Sequence, residues 1–163
     1  RNTTVWTLDA KKWAFLFLAL ILGPCLIANV IFKDHWGRAR PREIVEFGGT
    51  RHFSPALVPQ EVVKKNESFI SGDAAFGFYL PSFAYVVPMV SRKRNLSRRV
   101  FWSCMGVGSL FGLSRLAMGA HFLSDIIYAM VFMLVASAAL HALMFGRKET
   151  STRWHNWFFH DNP

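Results

Sequence analysis

The sequence has few cysteines and few charged residues, and each shortage excludes a class of protein. Its two cysteines, Cys25 and Cys104, both lie inside apolar runs, where a thiol behaves as a small apolar group. We therefore expect neither a disulfide framework nor a cysteine metal site. Only 18% of the residues are charged and 52% are hydrophobic, which excludes a disordered or low-complexity chain.

Acidic residues are the scarcer charge, with 10 Asp and Glu against 19 Lys and Arg. A net charge of +9 can indicate a nucleic-acid-binding protein. Here the basic residues cluster at the ends of apolar runs and form no known nucleic-acid module. We therefore predict a membrane surface as the partner of these charges, and no nucleic acid.

Four uncharged stretches approach the length of a membrane span: residues 13–32, 74–91, 100–114 and 126–146. The first and last meet the requirement of roughly 20 residues for a spanning helix. The third meets it only by continuing through Arg115 to about Ala120. A charge at that depth is costly unless it lines a cavity, so we predict that Arg115 is functional. The pattern predicts an all-α integral-membrane helical bundle, with one domain over residues 1–163.

The loops between these spans fall into two sets that differ in charge. Residues 1–12, 92–99 and 147–163 carry eleven basic against three acidic residues, whereas 33–73 and 115–125 carry eight against seven. The positive-inside rule predicts that the first set, with both termini, is cytoplasmic. The second set then lies outside the cytoplasmic membrane. The aromatic-rich tail is predicted to be an interfacial segment.

Three clusters of polar residues lie at the outer ends of the predicted spans. They are Lys33, Arg38, Arg40 and Pro41; Ser71, Gly72 and Asp73; and Ser114, Arg115, His121 and Asp125. The three basic side chains Lys33, Arg40 and Arg115 suit an oxyanion with two charges. The Ser-Gly pair opens a helix, whose free N–H groups also favour an anion.

His121 and Asp125 are four residues apart, which on a helix places them on one face. The carboxylate is then expected to accept one imidazole N–H and to leave the other ring nitrogen as a base or nucleophile. Taken singly, each of these residues has an ordinary structural interpretation, but their combination favours a functional site. The remaining histidines lack such company and are predicted to be structural: His35, His52, His141, His155 and His160.

The spacing of these clusters resembles the signature of the type 2 phosphatidic acid phosphatase superfamily, which includes the vanadium haloperoxidases. Lys33 is followed after six residues by Arg40-Pro41, and Ser114-Arg115 after five residues by His121 and then Asp125. The resemblance implies a metal-independent reaction without a cofactor, in which His121 attacks phosphorus to form a phosphohistidine, helped by Asp125. It also implies the phosphate-binding residues, which are Lys33, Arg40, Ser71, Gly72, Ser114 and Arg115.

Two features depart from that family. Its middle motif usually reads Pro-Ser-Gly-His, whereas this chain has Asp73 after Ser71-Gly72. A carboxylate thus occupies the position of the residue expected to protonate the leaving oxygen. Membrane members usually have six spans, two of them before the first motif, whereas four spans are predicted here. We therefore expect two N-terminal helices to be missing.

The substrate is less constrained than the reaction. Residues 37–56, with the acidic residue after Ser-Gly, are similar to bacterial members that act on lipid A. Undecaprenyl diphosphate, phosphatidylglycerol phosphate and phosphatidic acid stay open, as do phosphotransfer to another acceptor and a catalytically silent membrane protein. Because Asp73 beside three cations is expected to stay ionised, the sequence favours a stable leaving oxyanion, such as an anomeric sugar phosphate or a diphosphate.

Overall fold

The computed structural model describes residues 9–61, 67–90 and 94–159. Over these residues the fold is helical, and the extended pairing is one isolated bridge between Ile44 and Arg51. The helices are α1 (Ala10–Leu20, continued as a π-helix over Ile21–Lys33), α2 (Gly72–Tyr79), α3 (Phe83–Val90), α4 (Arg94–Ala117), α5 (Leu123–Phe145) and α6 (Arg147–Phe158). The predicted all-α bundle is confirmed.

Three helical stretches are long and apolar enough to cross a bilayer: Ala10–Lys33, Asn95–Ala117 and Leu123–Phe145. The second of them continues through Arg115, as the length required of a span predicted. Large apolar side chains point away from the bundle on all three, with Phe17 64%, Leu110 67% and Leu143 86% exposed. Such surfaces are stable in lipid and not in water. The chain is a multi-pass membrane protein.

The predicted span over residues 74–91 is not one continuous helix. Helix α2 ends at Tyr79, a 3₁₀ turn covers Leu80–Ser82, and α3 follows. Pro81 lies in that turn, and proline has no N–H with which to continue an α-helical ladder. The Ser82 hydroxyl donates to the Tyr79 carbonyl at 2.7 Å, which satisfies one acceptor at the break. Residue 91 lies outside the described residues.

The long first helix changes form around its own proline. From Ile21 onward it is a π-helix that contains Pro24. The side chain of Asn29 donates to the Pro24 carbonyl at 2.8 Å, which supplies a hydrogen bond for that carbonyl. The helix ends at Lys33, so its last residue is the first cation of the predicted site.

Glycines allow α4 to lie close against both α2 and α5. A Cβ added to Gly77 would lie 2.7 Å from the Gly108 Cα, so the backbones of α2 and α4 touch at this point. A Cβ on Gly112 would lie 2.4 Å from Ile126 Cγ2, which sets the distance between α4 and α5. Close backbone contact at small residues is the usual way in which helices pack in a membrane.

Two apolar clusters fill the bundle. The cluster that lies beneath the predicted site consists of Ala28, Phe69, Ile70, Ala74, Ala75, Phe78, Ile126, Ala129 and Met133. The other consists of Phe15, Leu16, Ala84, Tyr85, Val86, Phe101 and Trp157. The first cluster joins α1, α2 and α5 to the segment before α2, and therefore fixes the polar residues above it.

The predicted tail is the helix α6, which docks on the bundle. Trp157 is buried and stacks on Phe101 at 4.5 Å between ring centroids. His141 is buried beside it, with Nδ1 2.7 Å from the Thr150 hydroxyl and its ring stacked on Tyr85. These contacts agree with the structural role predicted for His141. Residues 160–163, including His160, lie outside the described residues.

The glycine contact between α2 and α4 generates a prediction. Gly77→Ala is expected to lower the free energy of unfolding by about 1–3 kcal/mol, because the added methyl group must push two backbones apart. Gly106→Ala is the matched control, since a Cβ there meets nothing within 4 Å and alanine favours the helix. Thermal unfolding in detergent measures both, and equal stability of the two variants would contradict this packing.

Candidate active site

His121 lies in the turn between α4 and α5 and is 1% exposed. Helix α5 begins at Leu123, so the prediction that His121 and Asp125 share a helix face is wrong. The His121 Nδ1 atom lies 2.7 Å from the Ser68 carbonyl oxygen and 3.8 Å from Asp125 Oδ2. A carbonyl can only accept, so Nδ1 carries the proton. The Nε2 atom of the neutral ring then keeps its lone pair.

Asp125 is completely buried and its two carboxylate oxygens are held by other groups. Oδ2 accepts from the Ser68 hydroxyl at 2.6 Å and from the Phe122 N–H at 2.9 Å. Oδ1 accepts from Arg38 Nη1. The expected direct hydrogen bond from His121 to this carboxylate is therefore replaced by one to Ser68.

Arg38 is a residue of the candidate site to which the sequence assigns no role. It belongs to the first cluster and precedes Arg40 by two residues. The structure places it 2% exposed, with Nη1 on Asp125, Nε donating to the Ser54 carbonyl at 3.0 Å and Nη1 donating to Ser124 at 2.9 Å. Nothing in the local sequence distinguishes this buried arginine from an ordinary cation at the end of a span.

The predicted cations of the site lie close to one another. A Cβ added to Gly72 would lie 2.9 Å from the Lys33 Nζ atom, so the ammonium group rests against the opening turn of α2. The charged groups that act on this ammonium include the carboxylate of Asp73 and the guanidinium groups of Arg40 and Arg115. The structure thus brings together Lys33, Arg40, Asp73 and Arg115, which represent all three sequence clusters.

Asp73 forms an ion pair with Arg115. Its Oδ2 atom lies 3.0 Å from Arg115 Nε, and both side chains are partly exposed, at 43% and 33%. The N–H is not aligned for a hydrogen bond, so the contact is electrostatic. The Asp73 carboxylate therefore competes with an incoming oxyanion for the Arg115 guanidinium.

The backbone before His121 connects Arg40 and Arg115 to the turn that carries His121. Arg40 Nη1 lies 3.5 Å from the Ala120 carbonyl oxygen. The Ala120 N–H donates to the Arg115 carbonyl at 3.0 Å. The Arg40 side chain and the Arg115 backbone carbonyl therefore contact the residue that immediately precedes His121.

The two predicted serines differ in their surroundings. Ser71 is buried and its hydroxyl accepts from the Ala74 N–H at 3.3 Å, so it is the N-cap of α2. Ser114 is exposed and its hydroxyl donates to the Phe111 carbonyl at 2.7 Å within α4. Its proton is therefore used inside its own helix, and the structure does not bring the Ser114 hydroxyl into contact with the other site residues.

The short segment 67–71 connects the parts of the site through its backbone. The Glu67 N–H donates to the Lys33 carbonyl at 3.1 Å, and the Ser68 N–H donates to the Arg38 carbonyl at 2.8 Å. The Ser71 N–H reaches the Asp125 carbonyl at 3.4 Å. The segment therefore fixes the end of α1 and the start of α5 relative to the start of α2.

The sequence model of the PAP2 superfamily matches residues 12–149 of this chain. The chain is 38% identical over 139 residues to a lipid A 4'-phosphatase of Francisella tularensis subsp. novicida (strain U112), which is 85% of this chain and 61% of that protein. It is 37% identical over 134 residues to a lipid A 4'-phosphatase of Rhizobium leguminosarum, which is 82% of this chain and 55% of that protein. No solved structure matches the chain significantly.

The chain thus spans about three fifths of the length of the first of these relatives and a little over half of the second. The matched residues include all three polar clusters, from Lys33 to Asp125.

The cation cluster is expected to bind a tetrahedral oxyanion such as tungstate. Lys33→Met should weaken tungstate binding about 10- to 100-fold, because a charge-assisted contact is lost. Asp73→Asn should instead tighten it about 10-fold, since the carboxylate no longer repels the anion.

Isothermal titration calorimetry in detergent measures these affinities. Arg42→Met is the control, because Arg42 is an exposed cation of the same loop that does not belong to the cluster. Equal weakening by Lys33→Met and Arg42→Met would mean that only the overall charge of the surface attracts the anion.

Proposed function

This chain belongs to the PAP2 superfamily, and we propose that it is a membrane phosphatase that removes the 4'-phosphate of lipid A through a phosphohistidine on His121. The observation that carries the proposal is the buried imidazole whose Nδ1 is hydrogen-bonded to the Ser68 carbonyl at 2.7 Å. That bond leaves the Nε2 lone pair available as the proposed nucleophile, and the Arg40 guanidinium contacts the carbonyl of Ala120, the preceding residue.

In the first step of the proposed reaction the phosphate binds among Lys33, Arg40 and Arg115, with the N–H groups that open α2 as further donors. The Nε2 lone pair of His121 forms a bond to phosphorus while the bond from phosphorus to the lipid oxygen breaks. Negative charge that develops on the phosphoryl oxygens is stabilised by the three fixed cations.

In the second step a water molecule attacks the phosphohistidine, the bond from phosphorus to nitrogen breaks, and inorganic phosphate leaves. His121 returns to its neutral form with its proton on Nδ1. Because the Ser68 carbonyl holds that tautomer throughout, the ring does not have to reorient between turnovers.

Asp73 acts in this scheme as an anion and not as an acid. Its ion pair with Arg115 supports an ionised carboxylate, so the departing lipid oxygen takes its proton from water at the partly exposed side of the site. The phosphate displaces Asp73 from Arg115 when it binds.

Lipid A is the proposed substrate because two relatives with that printed activity are 38% and 37% identical over more than four fifths of this chain. The 4' position of a sugar is not its anomeric carbon. The preference for an anomeric leaving group that the sequence favoured therefore does not support this assignment, and the assignment depends on the relatives.

We propose further that this single membrane phosphatase domain lies in the cytoplasmic membrane with its active site on the outer side. The support is the charge difference between the two sets of loops. Helix α6 and both chain ends are then cytoplasmic.

The proposal predicts that the protein in detergent micelles releases phosphate from lipid A and that His121→Ala abolishes release. The panel should include phosphatidic acid, phosphatidylglycerol phosphate and undecaprenyl diphosphate, each with and without an alcohol acceptor. Mass spectrometry of the lipid product identifies the sugar position that lost phosphate.

His52→Ala is the matched control, since His52 is an exposed histidine of the outer loop, and it should retain full activity. Wild-type activity in His121→Ala would contradict the assigned nucleophile. Preferential cleavage of another lipid would instead contradict the assigned substrate alone.

A further inference from the structure

We propose that Ser68 is a positioning residue that couples Asp125 to the nucleophile His121, so that the carboxylate acts through Ser68 and not by direct contact. The inference rests on the proposed function. It follows from the contacts of the Ser68 carbonyl with the imidazole and of the Ser68 hydroxyl with the carboxylate. Ser68 is 0% exposed.

The first observation is that both carboxylate oxygens of Asp125 already accept hydrogen bonds from groups other than His121. Its Oδ2 atom accepts from the Ser68 hydroxyl and the Phe122 N–H, and its Oδ1 atom accepts from Arg38. The imidazole Nδ1 is 3.8 Å from Oδ2, which is beyond hydrogen-bond distance. The carboxylate therefore cannot fix the tautomer of His121 by itself.

The second observation is that Ser68 holds both partners at once. Its carbonyl accepts the Nδ1 proton of His121 at 2.7 Å, and its hydroxyl donates to Asp125 at 2.6 Å. Its own N–H is anchored on the Arg38 carbonyl at 2.8 Å. The hydrogen bonds of its hydroxyl and of its N–H thus fix the carbonyl that orients the imidazole.

The consequence is that the hydroxyl of Ser68 controls the rate of attack and not the affinity for phosphate. Ser68 makes no contact with Lys33, Arg40 or Arg115 in the described hydrogen bonds and ion pairs, so its loss leaves the oxyanion site intact. A nucleophile that loses its orientation by about 1 Å can lose about 100-fold in rate.

The test is a double-mutant cycle on phosphate release from lipid A with Ser68→Ala, Asp125→Asn and the double variant. Ser68→Ala should lower kcat about 10- to 100-fold with KM and tungstate affinity unchanged. Because both residues act on one path, the double variant should be no slower than the slower of the two single variants. Wild-type kcat in Ser68→Ala, or losses that multiply in the double variant, would overturn the proposal.

Ser54→Ala is the matched control, because Ser54 is a buried serine that contacts Arg38 through its carbonyl and whose hydroxyl has no hydrogen-bond partner. Ser54→Ala should keep the wild-type kcat. An equal loss of kcat in Ser54→Ala and Ser68→Ala would mean that the loss reflects disturbed packing of a buried serine, and would contradict a positioning role.

A measurement without variants of Ser68 keeps the inference separate from the proposed function. In nitrogen-15 spectra of the wild-type protein, assigned by comparison with His121→Ala, the His121 ring should be neutral with its proton on Nδ1. A proton on Nε2 would overturn the inference even if the enzyme is active. Correct tautomers without phosphate release from any lipid would overturn only the proposed function.

Discussion

The buried ion pair between Arg38 and Asp125 is the interaction on which the site depends. Both side chains are almost completely removed from solvent, and the guanidinium also lies 4.3 Å from the centre of the Phe122 ring. Two opposite charges tolerate such burial only when each is paired and hydrogen-bonded. Loss of one partner from a buried pair costs about 3–5 kcal/mol, so the loop after α1 is strongly fixed to the start of α5.

The remaining polar residues are arranged around this pair. Arg38 provides the carbonyl that binds Ser68, and Asp125 binds the hydroxyl of the same residue. Ser68 in turn orients His121, and three residues later the chain enters α2 with Ser71 as its cap. The contact between Gly77 and Gly108 then holds α2 beside α4, whose last turn carries Arg115.

Much of this arrangement was accessible from the sequence because it depends on hydropathy and spacing. Uncharged runs predicted α1, α4 and α5, and the passage of α4 through Arg115 followed from the length that a span needs. The position of each polar cluster at the outer end of a span predicted that the three clusters meet. These features are local in the chain, or follow from helices that end at one depth.

Other features depend on contacts between distant backbone groups, which no residue pattern encodes. His121 lies in the turn before α5 and not on the helix, and the residue spacing does not determine where that helix begins. Ser68 contacts His121 through its backbone carbonyl, a group that every residue carries. Arg38 looks in the sequence like any cation at the end of a span, and its burial follows from the path of the loop. The break at Pro81 was signalled by the proline, but a membrane helix can also continue through one.

The covalent state of His121 during turnover tests the account most directly. The wild-type protein would be mixed with lipid A, denatured at alkaline pH within the first turnovers, digested and examined by mass spectrometry for phosphopeptides. The account predicts phosphate on the peptide that contains His121, and none on that peptide from His121→Ala. Sustained phosphate release from lipid A without a phosphorylated His121 at any time point would contradict it.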